Sequence, residues 1–138
     1  MLPDPASDYH VFISTKSEDI ALARQVYAYL EGHGLRAFLS DISISEMGAA
    51  DYQGAIDDAL EGSPHLILVA SRPEHVASPW VRSEWSAFLN ELRSGRKKGN
   101  IVTVLADPIR VEDLPISLRT FQSFHIDQDG LQGLERYV

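Results

Sequence analysis

An unbroken apolar run of strand length, His65-Leu66-Ile67-Leu68-Val69-Ala70-Ser71, is the feature that most narrows the folds open to this chain. A strand with one face in water alternates apolar and polar residues; a strand that does not alternate must be covered on both faces. Similar short runs stand at His10–Ser14, Leu35–Leu39, Ile101–Ala106 and Phe121–Ile126. Stretches with helical spacing lie between them. Ile20, Ala23, Tyr27 and Leu30 recur on one face, as do Ala55, Ile56, Ala59 and Leu60. Gly32 and Gly34 stop the first of these helices. Thr15-Lys16-Ser17-Glu18 fits a capping box at its start. Strands alternating with helices predict parallel βαβ units with right-handed crossovers, an open sheet with helices on both faces. Residues 40–50 form a long polar loop, 107–120 are mostly irregular with room for one short helix, and 131–138 read as a last helix.

Length and composition bound the function. At 138 residues the chain suits one domain, with residues 1–8 as a Pro- and Asp-rich leader and 9–138 as the folded unit. The net charge of −8 repels nucleic-acid backbones and anionic membranes, so neither is an expected partner. Without cysteine there is no disulfide framework and no thiolate zinc site. No apolar run approaches bilayer-spanning length, and Met1-Leu2-Pro3-Asp4-Pro5 lacks a signal-peptide pattern; a cytoplasmic location is expected. A glycine fingerprint for dinucleotides, a P-loop and a Gly-x-Ser-x-Gly elbow are all missing. The histidines at 10, 33, 65, 75 and 125 are scattered without ligand spacing, reading as surface or strand-end residues with no metal site. Asp57-Asp58 reads as a solvated helix face. Arg93, Arg96, Lys97 and Lys98 suit the negative end of the preceding helix or, alternatively, an acidic partner.

Ser78-Pro79-Trp80-Val81-Arg82-Ser83-Glu84-Trp85 opens the helix predicted over 79–93. Ser78 is a suitable N-cap and Pro79 a suitable first residue. At about 100° per residue, Val81, Trp85, Phe88, Leu89 and Leu92 form an apolar stripe, with Glu84 at its rim and Trp80 one turn earlier on the same flank. A rim carboxylate beside an indole suits a polar ligand at the edge of a core; spacing alone favours an ordinary solvated helix acid. In open α/β sheets ligands bind beyond the carboxyl ends of the strands. Those ends are Ser14-Thr15-Lys16, Leu39-Ser40-Asp41, Ser71-Arg72 and Asp107, near the start of this helix.

Val11-Phe12-Ile13-Ser14, Ala37-Phe38-Leu39-Ser40-Asp41 followed by Glu46-Met47-Gly48, Ala55-Ile56 with Leu66–Ser71, and Ser78–Glu84, in that order and spacing, resemble the Toll/interleukin-1 receptor (TIR) domain, bacterial type. The resemblance implies a flavodoxin-like five-stranded parallel sheet and one of two jobs. In the NAD⁺-cleaving subgroup the catalytic glutamate matches Glu84 and its partner tryptophan Trp80; a ligand-contacting basic residue matches Lys16. Ser14, Phe38, Asp41 and Ser71, at the strand ends, complete the implied substrate-binding set. The reaction releases nicotinamide with ADP-ribose or a cyclic isomer, NAD⁺ being substrate, with no cofactor and no metal. The chain departs from one NAD⁺-cleaving relative after Gly48, where Ala50 replaces an aromatic and Tyr52 stands two residues on. The other job is non-catalytic association with other TIR domains, for which the loop carrying Ile44, Met47 and Gly48 is the implied contact. Self-assembly into a homo-oligomer or filament, a sensor domain following Val138, and a setting in anti-phage defence or in interference with host TIR signalling are further implications.

Overall fold

The computed structural model describes residues 9–40 and 52–138. Five strands form one sheet: β1 (Val11–Thr15), β2 (Ala37–Leu39), β3 (His65–Ala70), β4 (Ile101–Leu105) and β5 (Gln122–His125). Their order is β2-β1-β3-β4-β5, every pairing parallel. This is the flavodoxin-like arrangement, whose switch point lies between β1 and β3. The helices are α1 (Ile20–Gly32), α2 (Tyr52–Gly62), α3 (Pro73–Val76), α4 (Pro79–Arg93) and α5 (Gln128–Tyr137).

The apolar run at β3 is explained by its position. Leu66, Leu68 and Ala70 pack on one face with Phe12, Phe38, Val81, Trp85 and Phe88. Ile67 and Val69 pack on the other with Ala23, Val26, Leu30 and Leu134. Each fully buried side chain of this size contributes about 1.5–3 kcal/mol, so one central strand anchors both layers. Phe38, expected at the substrate site, is in the core instead: it is 0% exposed and stacks on Phe12 with ring centroids 5.1 Å apart. Strand alternation puts its ring on the sheet face that carries Phe12, opposite the face taken by Ala37 and Leu39.

The ends of the elements follow the local sequence signals only in part. Gly34 ends α1 with φ of 81°, in the left-handed region that glycine enters freely. The capping box before α1 is not made. A 3₁₀ turn at Ser17–Asp19 precedes the helix, Thr15 Oγ1 donates to the Val69 carbonyl, and Ser17 Oγ donates to Glu18. Ser78 occupies the N-cap of α4, but its hydroxyl donates backward to the His75 carbonyl at 2.8 Å. The 107–120 segment holds two 3₁₀ turns rather than one helix, the last helix begins three residues earlier than predicted, and α3 was not foreseen. Of the basic cluster, Lys97 serves a different helix from the one predicted. Its Nζ donates to the carbonyls of Leu60, Glu61 and Ser63 at the end of α2. Among the described residues, no helix is long and apolar enough to cross a membrane.

Candidate functional site

The site begins with a hydrogen bond between residues 70 positions apart. Ser14, at the end of β1, donates its hydroxyl to Glu84 Oε1 at 2.6 Å. Both side chains are buried: Ser14 is 1% exposed and Glu84 6%. The helical stripe predicted a rim position for Glu84. The structure moves it inside, because α4 lies with that rim against the end of β1. Periodicity gives a residue's angle on its helix but not which rim meets the sheet. Burial raises the Glu84 carboxyl from 4.5 to about 7, against a smaller downward pull from the Ser14 hydroxyl. Removing water disfavours the ionised form, and one hydrogen bond does not compensate.

A cleft of about 430 Å³ opens beside this pair, where β1 ends and α4 begins. Thr15, Lys16 and Ser17 form one wall; Ser78, Pro79, Trp80 and Val81 form the other. Trp80 is 46% exposed, an unusual state for an indole that the core has not claimed. Glu84 is one turn further along the same helix and Ser14 is the neighbour of Thr15, so the buried pair adjoins residues that line the cleft. Lys16 Nζ sits 2.9 Å from Glu18 Oε2, and the Lys16 ammonium and Ser17 hydroxyl hold the Glu18 carboxyl well below its usual range. Exposed pairs of this kind contribute little net energy, so an incoming anion can compete for the lysine. A smaller hollow, about 300 Å³, lies between α2 and α4 beside Asp57, Glu61 and Glu91. Its carboxylates oppose a phosphate-bearing ligand, and it is remote from the strands' carboxyl ends.

The structure therefore pairs Ser14 with Glu84 and sets Lys16 and Trp80 on the walls of the neighbouring cleft. Ser71 lies at the same sheet edge but is engaged elsewhere, its hydroxyl donating to Asp19 Oδ1 at 2.5 Å. Asp41, Ile44, Met47 and Gly48 lie outside the described residues. A buried aspartate–histidine pair escaped the sequence reading. Asp19 is 1% exposed, and His75, read as a surface histidine, is 8% exposed with Nδ1 2.7 Å from Asp19 Oδ2. The only local hint was an aspartate at the start of α1, where it resembles any first-turn acid; its side chain caps nothing.

The TIR domain family model matches residues 11–138. No curated protein matches the chain in sequence. Among solved structures, a metazoan TIR-STING receptor from C. gigas, in complex with 2',3'-cGAMP, superposes with a TM-score of 0.73 at 23% identity. The match covers 99% of this chain and 41% of the receptor chain, and at that identity it speaks for the fold. A parallel sheet in the order 2-1-3-4-5, with a family match running from the first strand to the last residue, means that this chain belongs to the TIR domain family.

Proposed function

We propose that the chain is an NAD⁺ nucleosidase, cleaving the bond between nicotinamide and ribose with Glu84 as its catalytic residue. The observation that carries the reading is Glu84 itself: a desolvated carboxylate at the carboxyl edge of the sheet, beside a cleft with an exposed indole. As the C–N bond breaks, its electron pair stays with the nicotinamide nitrogen. The leaving group is neutral and needs no proton. The ribose becomes cationic, and an ionised Glu84 stabilises it; the surrounding low dielectric strengthens that interaction. Water then adds to the sugar and loses a proton, giving ADP-ribose, or an adenine nitrogen adds instead, giving a cyclic isomer. A carboxyl titrating near 7 suits a group that must be ionised for the first step and can accept a proton in the second. Trp80 supplies a flat apolar surface for a ring, and Lys16 a cation for the pyrophosphate.

The proposal extends to activation by self-assembly with other TIR domains, which supplies a defence role with a natural switch. Incubation of concentrated protein with NAD⁺, with products followed by mass spectrometry, tests the reading. Nicotinamide release by the wild type and its loss in both Glu84→Ala and Glu84→Gln are expected. Equal turnover by all three removes Glu84 from the reaction, and no turnover by any, at a concentration where light scattering shows the protein assembled, leaves the chain as a non-catalytic association module.

A further inference from the structure

A continuous run of hydrogen bonds passes from one wall of the cleft to the other. The Asp19 N–H donates to the Lys16 carbonyl at 2.8 Å. The Asp19 carboxylate meets His75 Nδ1 at 2.7 Å. The His75 carbonyl accepts from Ser78 Oγ at 2.8 Å. Lys16 and Ser78 are opposite walls of the cleft. Ser71, at the end of β3, donates to the other carboxylate oxygen. A carboxylate oxygen can only accept, so the His75 ring carries a proton on Nδ1. Asp19 is thus a buried carboxylate held by two donors from the segment that runs from the end of β3 toward α4, while its own helix receives no cap from it.

We propose that Asp19, gripped by Ser71 and His75, is a positioning residue that sets the gap between the Lys16 wall and the Trp80 wall. The bond to His75 spans 56 positions of sequence and joins two segments that no strand pairing connects at that point. The segment from Ser71 to Ser78 leads directly into α4, so its placement governs where the Trp80 wall stands relative to Lys16. Displacing a wall that grips the substrate weakens binding, while Glu84, tied to β1 by its own hydrogen bond from Ser14, keeps its place and the rate of the chemistry changes little.

The kinetic part of this proposal rests on the NAD⁺ reading; the structural part does not. Hydrogen exchange, read by mass spectrometry on wild type, His75→Ala and His75→Asn, tests the latter. Asparagine places an amide N–H near the position of imidazole Nδ1 and keeps the donor. In His75→Ala, exchange at residues 16–19 and 72–80 should quicken by about tenfold or more, with Ile101–Leu105 of β4 unchanged, as for a local opening. His75→Asn should return these segments toward wild type. In parallel, KM for NAD⁺ should rise by roughly tenfold in His75→Ala with kcat within about threefold, and recover in His75→Asn. Unchanged exchange, acceleration that extends equally to β4, or an unchanged KM in the face of accelerated exchange each overturns the positioning role. Should His75→Ala not fold, Ser71→Ala, which removes the half-buried member, reads the same comparison. A wild type that does not cleave NAD⁺ counts against the functional reading alone, and the exchange arm then decides this one.

Discussion

Replacing Glu84 by glutamine should make the protein's stability less sensitive to pH, and the size of the change follows from the site. In the folded chain burial raises the Glu84 carboxyl from 4.5 to about 7. In the unfolded chain it titrates at its ordinary value. Between those two values the folded state holds a proton that the unfolded state has released, so stability falls as pH rises through the window. Below it, the protonated carboxyl is content in its apolar surroundings. Above it, the fold carries the cost of a desolvated charge. At about 1.36 kcal/mol per tenfold change in proton affinity, the loss amounts to about 3 kcal/mol by pH ~8. Glutamine is neutral throughout and still offers an oxygen to the Ser14 hydroxyl. Its amide N–H groups need partners that a carboxyl does not, a penalty of about 1–3 kcal/mol that is independent of pH. The difference between variant and wild type is therefore the clean quantity, since every other titrating group is common to both. Urea unfolding followed by circular dichroism, with slopes shown to be equal, measures it. The variant should gain about 3 kcal/mol on wild type between pH ~4.5 and pH ~8, equivalent to roughly 10 °C in Tm for a domain of this size. A difference that stays constant across that range would mean that the carboxylate is hydrated and ordinary, and the argument from burial would fail.

Other perturbations separate chemistry from architecture. Turnover of NAD⁺, which needs ionised Glu84, should rise with pH through about 7 and level off above it; a flat profile over that range refutes the role assigned to the carboxylate. Trp80→Ala, at an exposed position, should cost less than about 1 kcal/mol of stability while abolishing most turnover. Trp85→Ala should cost about 3–5 kcal/mol, because that indole is 5% exposed and donates to the Val76 carbonyl; thermal melts of the two variants distinguish them. Lys97→Met should destabilise by about 2 kcal/mol through loss of its three carbonyl acceptors, with local exchange quickening at the end of α2; an unchanged melting temperature refutes that capping role.

The sequence by itself determined the architecture. Unalternating apolar strands such as β3 require cover on both faces, helical spacing between them supplies it, and the handedness rule leaves one economical way to wind the sheet. The order of short motifs also named the family and singled out Trp80 and Glu84, since those signals lie within a few residues of one another. What only the tertiary structure decided was the state of each side chain. Glu84 became buried through a serine 70 positions away, His75 left the surface for an aspartate 56 positions away, and Ser71 was drawn into the same cluster. Phe38 went to the core because strand alternation and its stacking on Phe12 outweighed its nearness to the strand's end. Lys97, just past the end of α4, stands over the Phe88 ring of that helix but donates to three carbonyls at the end of α2. Local pattern fixes the angle a residue takes on its own element. Desolvation, hydrogen-bond partners and proton affinity depend on which elements come to lie against it, and those contacts are made across the sheet, between segments the chain keeps far apart.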